Sequence, residues 1–402
     1  MLTFYMSSKF QASLACGLLL ALPFLFPMLF PLTWIAFIPL FWLVRSSGTP
    51  LQAFLFGWFA GVVANIFGFY WLDYTIRVFG GFPYVASELI FLVFSAYAAL
   101  PIALFALLIR LFGLGSFHLL PALFWVGIEF WFPYLFPWHL ANSQSQFLSL
   151  IQSADLVGPY GTSFILVWVN TTLYAAIFFR SEGTRALVRV GAGLSALLIA
   201  TLFYGHLRLK SVDADMRAAR TLSVAAIQGS IDIREKWNLA YLESNLKSYL
   251  ELTKKIQGVS LVIWPETAVE AWVPENIAQL PAEVLPELPA DTSFIFGARS
   301  FRGKPATANL KAFNSAFLVD AEGRVLSHYH KQVLLAFGEY LPFAAALAKL
   351  PGLPPIGDGF TPGEGPLTLD LPGGGVKAGS LICYEDLMPA LARRFVAEKG
   401  AN

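Results

Sequence analysis

The sequence contains few charged residues. They make up 13% of the 402 residues, whereas hydrophobic residues make up 56%, and these proportions exclude an ordinary soluble globular protein. The net charge is only +1, and no cluster of Lys and Arg is interleaved with aromatic residues, which excludes the electrostatic footprint of a nucleic-acid-binding protein. The composition therefore indicates an integral membrane protein without a nucleic-acid partner.

The few charges are also unevenly distributed. Between Met1 and Arg180 single charges interrupt long apolar stretches, whereas from about Arg208 onward charges occur every few residues. This contrast is explained if the charge-poor part of the chain lies in lipid and the charge-rich part lies in water. We therefore predict a transmembrane domain over residues 1–210 and a folded domain outside the membrane over residues 211–402.

Seven apolar stretches are predicted to cross the membrane, because most of them approach the ~20 residues that a bilayer requires. No small-residue cleavage site ends the first stretch, so we expect it to be retained and not removed as a signal peptide. The first two stretches are short and rich in proline, and a single long or re-entrant element is the alternative. The stretches are residues 12–30, 31–44, 51–72, 87–111, 117–135, 164–179 and 187–207.

The basic residues of the short loops predict the orientation. If the N-terminus is cytoplasmic and the chain crosses seven times, all of them except Arg77 lie inside, as the positive-inside rule requires. An odd number of crossings then exports everything after Leu207. The residues predicted to lie inside are Lys9, Arg45, Arg110, Arg180, Arg185 and Arg189.

Beyond Thr221 the pattern is typical of a folded α/β domain, with short β-rich runs separated by turns and amphipathic helices. Runs at 222–228 and 260–264 flank a helical period over 238–256, which predicts a β-α-β unit. Segments 274–289 and 350–365 are rich in Pro and Gly and are predicted to be surface loops. Further strands are predicted at 293–298, 314–319, 325–330, 367–371 and 376–382, with a hairpin turn at 321–324 and a closing helix at 387–398.

Cys383 is the candidate nucleophile of this domain. It ends a predicted strand in the sequence GSLICYED, and the domain contains no second cysteine with which it can pair. A free cysteine commonly behaves as a small buried hydrophobe, but the polar sequence Tyr-Glu-Asp that follows argues against inert burial. The other cysteine, Cys16, lies in the first apolar stretch and is predicted to be inert packing.

Nucleophilic cysteine chemistry also needs a base and a group that holds the developing oxyanion. Glu266 ends a strand in the sequence VIWPET, where the apolar strand and Trp264 provide a partly dry site suited to a general base. Lys331 ends another strand in HYHKQ. Considered alone, Lys331 would be a solvated surface lysine.

Three segments together resemble the catalytic triad of the nitrilase superfamily. They are WPET around Glu266, YHKQ around Lys331 and ICYED around Cys383, and the segment FGEYLP places Glu339 just after the lysine. A multi-span membrane region followed by an exported catalytic domain is similar to the apolipoprotein N-acyltransferase family, and the resemblance covers essentially the whole chain. It implies an α-helical membrane domain followed by an extracytoplasmic α/β nitrilase-like domain, an α-β-β-α sandwich.

The resemblance also implies a reaction and a location. A membrane phospholipid donates an acyl chain to Cys383, with Glu266 as general base, Lys331 as oxyanion donor and Glu339 orienting Lys331. The amino group of a diacylated lipoprotein then takes the acyl chain from the thioester. The family is expected in the bacterial inner membrane, with its catalytic domain on the periplasmic side, acting as a monomer without a metal or an organic cofactor.

Several other polar or aromatic residues are candidates for function. Trp237 matches a tryptophan near the lipid entry of the family, with ordinary core packing as the alternative. Tyr384 and Glu385 follow the nucleophile and are predicted to support catalysis, and a structural hydrogen-bonding role stays open for both. Glu129 and His139 lie in or beside an apolar span, where ionisable residues are functional candidates, although interfacial anchoring is favoured for His139.

The sequence departs from the family near its C-terminus. It ends at Asn402, 19 residues after Cys383, where nitrilase domains continue with another strand and an active-site loop and the family adds a membrane span. We therefore expect the catalytic domain to be truncated, with an unpaired sheet edge. Two alternatives stay open: a membrane-tethered amidase that hydrolyses its thioester, and an inactive remnant that binds lipid or lipoprotein.

Overall fold

The structure is a computed structural model, and it describes residues 2–78, 80–114, 118–178, 184–304, 309–336, 338–340 and 359–402. The chain divides into two compact units, Met1–Ala219 and Arg220–Asn402.

The first unit is helical. Its helices are α1 (Leu2–Leu25), α2 (Ile38–Ser46), α3 (Pro50–Gly68), α4 (Trp71–Val78), α5 (Tyr84–Ala98), α6 (Leu100–Phe112), α7 (Leu120–Trp131), α8 (Leu148–Ile151), α9 (Ala154–Val157), α10 (Pro159–Phe178) and α11 (Thr184–Ala218), with 3-10 helices at Pro27–Trp34 and Leu140–Gln144.

Six helical segments among the described residues are long and apolar enough to cross a membrane. They correspond to six of the seven predicted stretches, and the first two stretches form separate segments that meet near Phe26. The fifth stretch, 117–135, instead forms the 12-residue helix α7, which is shorter than the ~20 residues that a bilayer requires. The count of seven crossings therefore stays a prediction.

Small residues allow two of these helices to pack closely. A Cβ atom added to Gly61 of α3 would lie 2.7 Å from the Cα atom of Ala99, just before α6, and one added to Gly57 would lie 2.7 Å from the Cβ atom of Ala106. Close backbone approach through small residues is a common way to pack helices in membranes, where apolar burial between helices gives little driving force.

Glu129 is a buried carboxylate of this unit. Its Oε1 atom accepts hydrogen bonds from Trp125 Nε1 at 2.8 Å, from the backbone N–H of Leu140 at 2.7 Å and from Ser163 Oγ at 3.1 Å. His139 lies beside it, with Nδ1 3.8 Å from Glu129 Oε2. These contacts join α7, the following 3-10 helix and α10, and they give Glu129 a structural role. A further function for Glu129 or His139 stays a prediction.

The second unit is built on a mixed six-stranded sheet. Strands β1 (Val224–Ala226), β2 (Leu261–Ile263), β3 (Val269–Pro274), β4 (Ser293–Arg302), β5 (Lys311–Val319) and β6 (Val325–His330) form it in the order β1-β2-β4-β5-β6, and β3 pairs with the second half of β4. The first four strands run parallel, and β5 and β6 are antiparallel to their neighbours.

Two supersecondary predictions are confirmed. Strands β1 and β2 pair in parallel on either side of helix α12 (Leu242–Thr253), which is the predicted β-α-β unit. Strands β5 and β6 form the predicted hairpin around residues 321–324. Both patterns are local in sequence, and this is why the hydrophobic period and the turn residues were sufficient to predict them.

Other sequence predictions need correction. The sequence analysis missed strand β3. The loop predicted at 274–289 overlaps this strand at one residue, Pro274, which is the last residue of β3. The strands predicted at 367–371 and 376–382 are the shorter β7 (Thr368–Asp370) and β8 (Lys377–Gly379), and they pair with each other in a separate two-stranded sheet. Of the loop predicted at 350–365, residues 350–358 lie outside the described residues, and residues 359–365 form neither helix nor strand.

The large sheet separates two apolar layers. On one face, Tyr249 of α12 packs with Trp264, Phe294 and Phe317. On the other face, Leu318 and Tyr329 pack with residues of β7, β8 and the C-terminal helix α13 (Pro389–Lys399). The large sheet therefore lies between a helical layer on one face and, on the other, a layer that contains both the β7-β8 sheet and α13, with Phe395 of α13 reaching Tyr329. This arrangement agrees with the predicted nitrilase-like domain.

Candidate active site

The three predicted catalytic residues lie at the ends of different elements of the second unit. Glu266 lies in the turn between β2 and β3, Lys331 directly follows β6, and Cys383 begins a 3-10 turn four residues after β8. Gly297 of β4 allows the Glu266 turn to approach the sheet, because a Cβ atom at this position would lie 2.7 Å from the Glu266 Cα atom.

The fold brings these three residues together. The Nζ atom of Lys331 lies 3.8 Å from Glu266 Oε1, and the Cys383 thiol is close enough to Glu266 and Lys331 for both charges to act on it. Glu339, predicted to support Lys331, lies with its Oε2 atom 2.7 Å from Nζ. One ammonium group is therefore shared by two carboxylates, and the charge of one of these carboxylates acts on the thiol.

Burial makes this ion pair necessary. Only 1% of Lys331 is exposed, and lysine is almost never fully buried without a partner because an isolated ammonium loses its hydration. Glu339 is held in turn by the backbone N–H of Leu335, which donates to Oε2 at 2.8 Å. The cation that would stabilise an oxyanion is therefore fixed in place before any substrate binds.

Asn314 of β5 also belongs to the site, although the sequence analysis missed it. Its Nδ2 atom donates to Glu266 Oε1 at 2.6 Å and to Glu339 Oε1 at 2.8 Å. Asn314 thus bridges the two carboxylates that flank Lys331 and offsets their mutual repulsion. The available signal was the pair of polar residues Asn314 and Ser315 inside the otherwise apolar part of the run KAFNSAFLV.

The environment of Cys383 keeps its thiol protonated. Cys383 is exposed at the surface as a residue, but partial desolvation of its thiol raises the pKa of that group. The negative charge of Glu266 raises the pKa further, and the charge of Lys331 and the backbone N–H of Tyr384 lower it. Since the thiolate is the nucleophilic form, the proton has to leave during the reaction. Glu266 is the carboxylate whose negative charge acts on this thiol, which makes it the candidate acceptor.

Glu385 fastens the turn that carries the nucleophile. Its side chain is fully buried, and its Oε2 atom accepts the backbone N–H of Ile382 at 2.9 Å. Its Oε1 atom accepts Tyr329 Oη at 2.8 Å and the backbone N–H groups of Gln332 and Val333 at 2.7 and 3.1 Å. The carboxylate therefore ties the Cys383 turn to the segment that follows Lys331.

These bonds also explain an unusual backbone conformation. Cys383 has φ of 53°, a left-handed conformation that costs a non-glycine residue about 1–3 kcal/mol. The contacts of the neighbouring Glu385 offset that strain.

Tyr384 is half-buried, and burial raises the pKa of Tyr384 to about 12, so its phenol stays protonated. Catalytic support by Tyr384 stays a prediction.

Trp237 is not part of a packed core. Its indole is 41% exposed, and its backbone N–H donates to Glu270 Oε2 at 2.6 Å. The Arg299 guanidinium lies 4.4 Å from the Trp237 ring and 4.8 Å from the Trp272 ring. Two exposed indoles therefore hold a cation between them, which argues against the core-packing alternative for Trp237.

Lys236 connects this aromatic pair to the triad. Its Nζ atom donates to the backbone carbonyl of Glu266 at 3.2 Å, and burial lowers the pKa of Lys236. Sequence analysis missed Lys236, Glu270, Trp272 and Arg299, since single residues between polar neighbours carry no pattern.

Among the described residues, one further cluster, formed by Glu275, His328 and His330, has the composition of a metal site.

Comparison with known protein families agrees with this fold and site. Residues 223–402 match the carbon-nitrogen hydrolase family, so the second unit is a carbon-nitrogen hydrolase domain. Residues 16–172 match the N-terminal domain of apolipoprotein N-acyltransferases. The fold and the site thus define a membrane-bound enzyme with a hydrolase-type catalytic domain.

Several relatives named apolipoprotein N-acyltransferase match most of the chain. The one from Geobacter metallireducens is 34% identical over 394 residues, which cover 94% of this chain and 73% of the relative. Those from Bdellovibrio bacteriovorus and Rickettsia bellii are 31% and 28% identical, over 90% and 94% of this chain and 69% and 74% of theirs. The chain belongs to the apolipoprotein N-acyltransferase family.

Proposed function

We propose that this enzyme moves a fatty acyl chain from a membrane phospholipid to the N-terminal amino group of a diacylglyceryl-cysteine lipoprotein, through a thioester on Cys383. The observation that carries the proposal is the convergence of Cys383, Glu266 and Lys331, with Lys331 3.8 Å from Glu266 and the charges of both acting on the thiol. Membership in the family supports lipid substrates, as do the six segments suited to cross a bilayer among the described residues of the helical unit.

In the first half-reaction Glu266 takes the thiol proton as the Cys383 sulfur attacks the ester carbonyl of the phospholipid. A carbon-sulfur bond forms, and the carbonyl oxygen becomes an oxyanion. The buried Lys331 ammonium donates a hydrogen bond to it. Collapse of this intermediate breaks the carbon-oxygen ester bond, and the lysophospholipid leaves with the proton held by Glu266.

In the second half-reaction the amino group of the lipoprotein attacks the thioester carbonyl. Glu266, ionised again, removes a proton from the attacking nitrogen, and Lys331 again stabilises the oxyanion. The carbon-sulfur bond breaks, and the Cys383 sulfur recovers the proton from Glu266. Every bond broken in this cycle is matched by one formed, and the residues at the site supply the proton transfers without a metal or an organic cofactor.

Glu339 has a defined task in this scheme. With its Oε2 atom 2.7 Å from Lys331 Nζ, against 3.8 Å for Glu266, it is the closer partner of the ammonium. Glu339 therefore balances the charge of Lys331 and leaves the Glu266 carboxylate available for the thiol. Asn314, bound to both carboxylates, fixes their separation.

The exposed pair Trp237 and Trp272, with Arg299 between them, supports a substrate contact beside the triad. Indole rings combine apolar surface with tolerance of polar groups, which suits the junction between an acyl chain and a lipid headgroup. The backbone N–H of Trp237 is held by the Glu270 carboxylate, and the adjacent Lys236 donates a hydrogen bond to the backbone carbonyl of Glu266. We assign Trp237 to substrate binding on this basis.

We place the enzyme in the bacterial inner membrane as a monomer, with its catalytic domain on the periplasmic side. The basic residues of the short loops support a cytoplasmic N-terminus. An odd number of crossings is needed to export the second unit, and the short helix α7 is the additional apolar element that would provide it.

The test incubates the purified protein with a phospholipid labelled in its acyl chain and a diacylated lipopeptide. We expect lysophospholipid and N-acylated peptide in equal amounts, and mass spectrometry without acceptor should find an acyl group on Cys383. Cys383→Ala should abolish the adduct, whereas Cys16→Ala, which removes the other cysteine, should retain it. Free fatty acid without acylated peptide would indicate the hydrolytic alternative, and a folded protein without an adduct would indicate the inactive one.

A further inference from the structure

A second cluster of ligand-type side chains lies on the opposite face of β6 from the catalytic site. Residues alternate between the two faces of a strand, so His328 and His330 point away from the side of Tyr329 and Lys331. Glu275, which directly follows β3, meets the two histidines there. The three ligating atoms lie within 4.8 Å of one another.

The distances within this cluster suit a small tetrahedral cation. Glu275 Oε1 lies 3.4 Å from His330 Nε2 and 3.5 Å from His328 Nε2. Zinc binds imidazole nitrogen and carboxylate oxygen at about 2.0–2.2 Å, and tetrahedral angles then separate two ligand atoms by roughly 3.4 Å. The two separations from Glu275 are those of atoms that share an ion, and the histidine nitrogens lie within 4.8 Å of each other.

His330 has a weakly partnered buried atom at the centre of this cluster. The residue is only 7% exposed, and among the described residues its Nε2 atom makes no hydrogen bond of good geometry, although Glu275 Oε1 lies 3.4 Å away. Its Nδ1 atom lies 2.7 Å from Ser315 Oγ, which lies 2.6 Å from Ser300 Oγ. Buried polar groups are nearly always well paired, so a nitrogen with only this long contact has the capacity for a further partner.

The serine chain allows the form of the ring that a metal requires. If Nδ1–H donates to Ser315 and Ser315 donates to Ser300, Nε2 keeps its lone pair, which faces the Glu275 carboxylate and can bind a cation there. In the other tautomer Ser315 donates to Nδ1, and the proton on Nε2 faces Glu275 and is displaced when a metal binds. Metal-binding histidines commonly have such a partner on the other ring nitrogen.

Arg302 is the main competitor for Glu275. Its guanidinium binds both carboxylate oxygens, and it also contacts the exposed Glu364 at 2.8 Å. A carboxylate has about four lone-pair sites, so two hydrogen bonds leave room for a metal on Oε1. Arg302 keeps the carboxylate in position but lowers the affinity for a cation, because the two positive charges repel.

We propose that Glu275, His328 and His330 bind a transition-metal ion of the zinc class, with water in the remaining position. The site joins the end of β3 to β6 and stabilises the sheet from the face opposite Lys331. It is independent of the acyl-transfer chemistry. The sequence analysis expected that acyl transfer needs no metal. It did not consider His328 and His330 of the segment HYH as a pair of metal ligands.

The test titrates the full-length protein, purified in detergent without a polyhistidine tag and freed of metal, with zinc chloride by calorimetry. We expect one ion per chain and a higher thermal midpoint when zinc is present. His328→Ala and Glu275→Gln should each weaken binding at least ~10-fold, as loss of a metal contact does. His206→Ala, which removes an exposed histidine from α11, should bind zinc as the wild type does.

Two controls keep the result interpretable. Cys383 with Glu266 is itself a zinc-binding pair, so the titration is repeated in Cys383→Ala, where the binding should persist. His328 is only half-buried, so its replacement should leave the metal-free protein folded, which circular dichroism checks. Absence of zinc binding, equal affinity in wild type and His328→Ala, or loss of binding in Cys383→Ala would each overturn the proposal.

Discussion

Replacement of Asn314 by leucine tests whether the bridge between the two carboxylates matters for the reaction. Leucine has nearly the same size but no N–H group, so the hydrogen bonds of 2.6 and 2.8 Å to Glu266 and Glu339 are lost. A hydrogen bond to a charged group contributes about 1.5–3 kcal/mol. Glu266 is one-third exposed and can be rehydrated, whereas Glu339 is 90% buried, so we expect a total loss of about 2–4 kcal/mol in stability.

The catalytic effect should exceed what this loss of stability explains. Without Asn314, the Glu266 carboxylate is free to move toward Lys331, 3.8 Å away, and away from the thiol. A misplacement of about 1 Å typically costs about 100-fold in rate. We therefore expect the rate of acyl-enzyme formation on Cys383 to fall about 100-fold, measured in single-turnover reactions with labelled phospholipid.

Asn245→Leu provides the matched control. Asn245 is equally buried, and its Nδ2 atom also donates to a buried carboxylate, that of Glu270, at 2.8 Å. This variant should lose about 1.5–3 kcal/mol of stability. Glu270 holds the backbone of Trp237 and not the triad, so the acylation rate at saturating phospholipid should change by only a few-fold. Equal losses of acylation in both variants, or a wild-type rate in Asn314→Leu, would refute the reasoning.

Three other replacements test different parts of the structure. The charge of Glu266 raises the pKa of the Cys383 thiol, so Glu266→Gln should lower that pKa. We therefore expect iodoacetamide to alkylate the thiol faster at neutral pH, while acyl transfer is lost. Slower alkylation would contradict this. Glu385→Gln cannot accept all four N–H and O–H groups, and its thermal midpoint should fall by the equivalent of about 1.5–3 kcal/mol. Gly61→Ala should destabilise the helical unit by about 1–3 kcal/mol. Gly68→Ala should have no such effect, because nothing lies within 4 Å of the Cβ position at Gly68. Equal thermal midpoints for the two variants would contradict the close packing.

The success of the sequence analysis depended on how local each feature was. The β1-α12-β2 unit and the β5-β6 hairpin follow from periodicity and turn residues within about forty residues. Strand β3 was missed because it is short, contains a glutamate and a proline, and gains its stability from pairing with β4. Similarly, nothing in the sequences of β7 and β8 reveals that they pair with each other and not with the large sheet.

The sequence by itself determined the membrane character and the two-part organisation, and it indicated the candidate reactive groups, because these depend on residue type and on order along the chain. Only the tertiary structure decided how those groups are held. Asn314 reaches a carboxylate 48 positions earlier, and Glu385 binds backbone groups 52 and 53 positions earlier. Such contacts depend on strand order and on which face each residue occupies, and a one-residue shift in register would reverse those faces.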